Sequence, residues 1–166
     1  MIGIGKMVIS HYRWCGMDDR DILESIDPPL REQLFEKVKS ILSAPLATLL
    51  NIEIISIKMD EIKLRMSLDG KINSVGFAHG GSIFAIADQT FAFACNLKDE
   101  DQIAMSANII YHKPGFGKEL TTVSSRVNET NSVSTYNIMV YCDGKHIATA
   151  TFIGFKVKGK IKHIKF

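Results

Sequence analysis

One residue in this sequence is hard to place unless it does chemistry. Asp88 is the only charged side chain between Lys71 and Lys98, and it stands inside the apolar run 82–97. Burying an unpaired carboxylate is unfavourable and raises its pKa, so such a group is normally paired or put to use. Two readings fit. Asp88 hydrogen-bonds a nearby backbone group or a Ser or Thr hydroxyl or points to a solvent channel, or it serves as a base or nucleophile in an apolar pocket, where weak hydration makes a carboxylate more basic. A second feature opens the same run, the string His79-Gly80-Gly81-Ser82. A helix beginning there offers unpaired N–H groups and the positive end of its dipole, and glycines let a ligand approach the backbone closely. Such a place suits an anion, or a carbonyl oxygen becoming one. Gly81 and Asp88 lie seven positions apart, about 10 Å along a helix axis. One helix therefore does not bring both to the same group. Two antiparallel helices in a two-fold dimer do, and would make two identical sites.

Other chemistries have little to build on. Cys15, Cys95 and Cys142 are odd in number and far apart, which argues against a disulfide framework and fits a reducing compartment. His11, His79, His112, His146 and His163 show no metal-ligand spacing, and no Ser-His-Asp or Cys-His arrangement stands out. Cys95 and Cys142 read as core residues. The apolar fraction of 46% and the charged fraction of 23% are those of a globular protein. A net charge of +2 leaves no basic stripe for nucleic acid, and the one basic bias, between Lys156 and Lys165, reads as a solvated edge and tail. The apolar stretch 7–9 is too short for a secretion signal, and the run 82–97 is too short and carries a carboxylate, which a bilayer centre disfavours. The expectation is a cytoplasmic protein with no membrane span and no nucleic-acid partner.

The elements that must hold these residues can be read from periodicity. Residues 1–27 form a variable N-terminal extension without a clean period. Pro28 and Pro29 open an amphipathic helix over 30–43, with Leu34, Phe35, Val38, Ile41 and Leu42 on one face. Pro45 interrupts it, and 46–51 adds a turn. Strands follow at 52–57 and 62–68, the second alternating Ile62, Leu64, Met66 and Leu68 with Lys63, Arg65 and Ser67. After a loop comes the long apolar helix, 79–97, then four strands at 103–112, 119–128, 133–142 and 146–157. Asp143-Gly144 joins the last two in a hairpin. A helix apolar nearly all round needs cover on more than one face, which a curved sheet and a second subunit would supply. The chain thus divides into the extension 1–27, a domain over 28–158 and a basic tail over 159–166.

Asn73-x-x-Gly76-x-x-His79-Gly80-Gly81, then Ile83-Phe84-Ala85-Ile86-Ala87-Asp88, then Phe91-Ala92-Phe93-Ala94-Cys95-Asn96 resembles the hotdog-fold acyl-CoA thioesterases of the PaaI type, the phenylacetic acid degradation proteins. The resemblance covers about residues 45–158 and includes the closing strand Ala148-Thr149-Ala150-Thr151-Phe152. It implies an α+β hotdog fold, a curved antiparallel sheet wrapped around one long central helix. It also implies an acyl-CoA thioester hydrolase for small or aromatic acyl groups, with coenzyme A as part of the substrate and no cofactor or metal, assembled as a homodimer within a homotetramer. By position, Asp88 matches the acid that acts as general base or nucleophile. Gly80 matches the oxyanion N–H donor, His79 the histidine that orients the loop, and Asn73 the asparagine that positions water or carbonyl. Gly81, Gln89 and Thr90 are further substrate contacts, with Gln89 a departure, since many relatives carry a small residue there. Phe84 and Phe91 would line the acyl space, and Lys113, Lys118 and Arg126 would meet the coenzyme A phosphates. Two other functions stay open on the same fold: a non-catalytic acyl-CoA-binding sensor, which has no need of Asp88, and a dehydratase of hydroxyacyl thioesters using His79 with Asp88.

Overall fold

The computed structural model describes residues 16–97 and 100–159. Residues 1–15 of the expected extension, and the basic tail except Gly159, lie outside them. Three short helical pieces come first: α1 (Asp19–Ser25), then α2 (Arg31–Leu42) behind a 3-10 turn at Pro28–Leu30, then α3 (Pro45–Leu49). The strands β1 (Ile52–Ile57) and β2 (Ile62–Ser67) precede the long helix α4 (Gly80–Asn96). Four strands complete the chain: β3 (Gln102–Tyr111), β4 (Glu119–Glu129), β5 (Val133–Cys142) and β6 (Lys145–Lys156). All six strands join one antiparallel sheet in the order β1-β2-β4-β5-β6-β3. With α4 lying across that sheet, this is the α+β hotdog fold.

The local reasons are in the side-chain alternation. On β2, Ile62, Leu64 and Met66 are buried while Lys63, Arg65 and Ser67 point away. On β5, every second residue from Ser134 to Cys142 is buried. These faces meet Ile83, Ile86, Ala87, Phe91 and Phe93 of α4, all buried. Register shifts at Ile54/Ser56, Ala104/Ser106, Arg126/Asn128 and Val140/Tyr141 bend the strands, and such bulges increase local twist and let a sheet curl around a helix. Gly154 on β6 leaves room for the helix: a Cβ there would sit 3.0 Å from Phe91 Cζ.

Two findings differ from the sequence reading. The end of the extension is ordered: Asp18 caps α1 by accepting from Arg20 and Asp21 N–H groups, and Met17, Ile22 and Ile26 are buried in the core. Asp19, 1% exposed, pairs with Lys39 of α2 at 2.9 Å. No apolar period announces this because α1 has only seven residues, two turns. The second difference concerns cover for α4. Part of it comes from α2, whose Ile41 carbonyl accepts a hydrogen bond from Gln89 Nε2 at 3.1 Å. The face still open runs through Gly81, Ala85, Asp88 and Ala92, of which Gly81 is exposed and the others are half-buried.

Candidate active site

The start of α4 is built by side chains that leave one N–H to spare. His79 is the N-cap, in extended conformation, and its Nδ1 accepts from the Gly81 N–H at 3.0 Å. The Ser82 and Ile83 N–H groups bond to the His79 carbonyl at 2.9 and 3.0 Å. The Gly80 N–H has no partner among the described residues. It is the donor matched by sequence to the oxyanion role. On its other side Gly80 is held by Tyr111 of β3, whose hydroxyl donates to the Gly80 carbonyl at 3.1 Å.

The loop before the helix is shaped by Asn73. Its Oδ1 accepts from the Val75 and Phe77 N–H groups at 3.1 and 3.0 Å, and its carbonyl accepts from Gly76 N–H. Gly76 takes φ +84°, a conformation that favours glycine. The Ala78 N–H then bonds to the Gly115 carbonyl at 2.8 Å and the His79 N–H to the Lys71 carbonyl at 3.0 Å. Those bonds bring the turn after β3 against the helix start. Asn73, Phe77, Gly80, Ile83, Tyr111 and His112 line the resulting depression, with Lys113 at its edge.

Asp88 lies two turns further along α4. It makes no hydrogen bond or ion pair with any described residue, so no backbone group or hydroxyl holds it in this structure. Half-buried, its carboxyl is pushed above the ordinary carboxylate range by burial. Cys95 is fully buried with its thiol raised to about 12, chiefly by burial, and Cys142 is also raised by burial. Neither is a nucleophile at neutral pH, in accord with their reading as core. Among the described residues no three His, Cys, Asp or Glu side chains gather to hold a metal ion, and no helix is long and apolar enough to cross a membrane.

Several expected contacts are not brought together. Thr90 is fully buried on the sheet side of α4, where its hydroxyl meets that of Thr122 at 2.6 Å and donates to the Ile86 carbonyl. Two residues make a 200° step around a helix, which carries Thr90 away from the face of Asp88. Gln89 is engaged by α2, as above. Phe91 is 2% exposed and stacked on Phe152 at 4.9 Å, so it fills the core rather than lining an open space. Phe84 is half-buried, 5.8 Å from Phe152. Arg126 pairs with Asp60 and Glu129. It lies eight residues beyond Lys118, about 26 Å of extended chain away from it. Lys113 and Lys118 flank the turn beside the depression, and both are exposed. Sequence reasoning assigned no role to Tyr111 or His112. The signal available was their place just before Pro114-Gly115, the same turn that drew attention to the lysines.

The sequence family described as the thioesterase superfamily matches residues 75–148, from the loop before α4 into β6. A protein of Archaeoglobus fulgidus, named provisionally as an esterase, is 31% identical over 110 residues, which is 64% of this chain and 71% of that protein. The acyl-coenzyme A thioesterase PaaI of Escherichia coli is 29% identical over 96 residues, 57% of this chain and 69% of its own. The structure of E. coli PaaI, from the phenylacetic acid degradation operon, superposes with a TM-score of 0.70 at 25% identity, covering 79% of this chain and 96% of that one. A Streptococcus mutans protein solved with acetyl CoA gives a TM-score of 0.59 at 25% identity, over 64% and 88% of the two chains.

Proposed function

Because the chain belongs to the thioesterase superfamily, as a hotdog protein of the PaaI type, we propose that it hydrolyses acyl-CoA thioesters to the free acid and coenzyme A. The observation that carries this reading is the pair of unsatisfied groups on one helix: the Gly80 N–H at its start and the raised, unpartnered Asp88 carboxyl eight residues on. Hydrolysis needs both kinds. As water or a carboxylate adds to the thioester carbon, negative charge gathers on the carbonyl oxygen, and a preorganised backbone N–H is worth about 3–4 kcal/mol of barrier there. Asp88 acts as general base on the attacking water or as the nucleophile itself. The tetrahedral adduct collapses with loss of the coenzyme A thiolate, giving the acid directly when water has attacked, or an anhydride on Asp88 that a water then hydrolyses when the carboxylate has attacked.

Eight residues of helix separate the two groups by about 12 Å, so the site joins Gly80 of one subunit to Asp88 of another across a two-fold axis. The open stripe Gly81, Ala85, Asp88 and Ala92 fits close approach of a second helix. Among the described residues β3 has only β6 beside it, and Ile103, Met105, Ile110 and Tyr111 on it are exposed. A long exposed edge strand invites pairing with a second copy. We take the assembly to be a homodimer, two of which form a homotetramer. We assign small or aromatic acyl groups to the side of the half-buried Phe84, with the exposed Lys113 and Lys118 as cations for the coenzyme A phosphates. Free, buried Cys95 and Cys142 fit a cytoplasmic location.

The test is free-thiol release across a panel of acyl-CoA substrates with wild type, Asp88→Asn and Asp88→Ala. We expect turnover of small or aromatic thioesters by wild type and a fall of about 10²–10⁴-fold in both variants, with coenzyme A binding retained by calorimetry. Undiminished turnover in the variants would remove Asp88 from the reaction. Binding without turnover in the wild type would favour an acyl-CoA sensor.

A further inference from the structure

Two consecutive glycines make a loose helix start, because glycine has the most backbone freedom to lose and helix ends fray. Gly80 and Gly81 are nevertheless the first residues of α4. The direction of the Gly80 N–H is set by the two peptide planes that meet at its Cα. The first plane carries the His79 carbonyl, which accepts from the Ser82 and Ile83 N–H groups at 2.9 and 3.0 Å. The second carries the Gly80 carbonyl and the Gly81 N–H. His79 Nδ1 takes that N–H at 3.0 Å, and the Tyr111 hydroxyl donates to that carbonyl at 3.1 Å. A peptide unit is planar, so bonds at both of its ends set its orientation. A carbonyl oxygen accepts two hydrogen bonds, so Tyr111 adds to the helix's own bonding without competing with it.

Strand geometry delivers Tyr111 to this place. Side chains two apart on a strand share a face. Ile109 of β3 packs against the core, so Tyr111 projects on the side of α4. Just beyond it the His112 and Lys113 N–H groups bond to the Ile147 carbonyl at 2.8 and 3.4 Å, which pins the end of the strand. The phenol then lies against the glycine in ordinary contact: a Cβ on Gly80 would sit 3.4 Å from Tyr111 Oη and 3.6 Å from Cζ. Tyr111 is 49% exposed. With half of it in water it contributes little to the core, and its hydroxyl is spent on the one carbonyl beside the free Gly80 N–H. A donor held in place before substrate arrives needs no reorientation as charge develops on the thioester oxygen.

We propose that Tyr111 is a positioning residue for hydrolysis, holding the Gly80–Gly81 peptide so that the Gly80 N–H is aimed at the thioester oxygen; this rests on the thioesterase reading above. Tyr111→Phe removes the hydroxyl and keeps the ring. In the ligand-free, full-length protein the Gly80 carbonyl carbon shift should move and the Gly81 amide should exchange faster than in wild type. With benzoyl-CoA and acetyl-CoA, followed by free-thiol release, kcat should fall about fivefold with KM unchanged. In an Asp88→Asn background, the infrared carbonyl stretch of bound benzoyl-CoA should rise in frequency when Tyr111→Phe is added, because a misdirected N–H polarises the carbonyl less. The proposal is overturned if kcat or the stretch keeps its value, if KM alone rises, which would make Tyr111 a substrate contact, or if the Gly80 and Gly81 signals stay in place. A wild type inactive on every thioester of the panel removes the hydrolysis reading, and this role with it. An active wild type matched by Tyr111→Phe removes the role alone. Circular dichroism of the variant separates a lost orientation from a lost fold.

Discussion

Asp88 carries two consequences of its surroundings that can be measured apart. In the proposed reaction its working form is the carboxylate, and burial favours the acid. Activity should therefore fall as pH drops through a pKa above the ordinary carboxylate range, placing the acid limb of kcat/KM higher than for an exposed aspartate. A limb at or below pH 4 would contradict that. Stability runs the other way. The folded state holds the Asp88 proton more tightly than the unfolded chain, so its contribution is complete below the ordinary carboxylate pKa and is lost as pH rises through the raised one. Asp88→Asn, which stays neutral, should melt at a higher temperature than wild type at pH 7, with the difference closing near pH 3. A variant less stable at both pH values would show that the carboxylate has a structural partner. At this scale the sequence exposed what was locally anomalous. A lone charge in an apolar run is visible in one dimension, and so is a histidine before two glycines. The direction of Thr90 could have been read too, from its 200° offset. The bond from Gln89 to Ile41 could not, because it spans 48 positions and depends on how α2 docks.

Among the elements, α4 and β6 decide how close helix and sheet can come. The Gly154 position faces Phe91 Cζ at 3.0 Å, Gln102 Oε1 at 2.8 Å and Ser134 Oγ at 3.2 Å from where a Cβ would be. Since Gln102 Nε2 also donates to the Cys95 carbonyl, this cluster ties the end of α4 to β3 and β5. Gly154→Ala should destabilise the protein by about 1–3 kcal/mol, read as a shift in urea midpoint, while the start of α4 and its Gly80 keep their geometry. Unchanged stability would mean that the neighbours yield without strain. The order of strands and the long helix were legible because their periods are long and regular, and their ends fell within a residue or two. The seven-residue α1 was not, because its burial rests on Ile22 meeting partners from distant segments and on an Asp19–Lys39 pair twenty positions apart.

For the whole molecule, the proposed assembly can be tested at the exposed strand β3. Replacing Met105 and Ile110 together by lysine puts two charges on the exposed β3 and should yield monomers by native mass spectrometry. If the site is shared between two chains as proposed, hydrolysis should be lost with them, and the far-ultraviolet circular dichroism should be kept. An active monomer would dissolve the shared-site account.

The placement of β6 also sets a schedule for synthesis. Among the described residues β3 pairs with no strand but β6, which lies between it and β5. On a ribosome working at about 5–20 residues per second, the ten residues of β3 emerge seconds before their partner does. Until then an apolar ribbon is bare on both flanks, longest where translation stalls between residues 112 and 145. Cells short of chaperone capacity should accumulate this protein as aggregates nucleated from nascent chains, rather than from molecules already released.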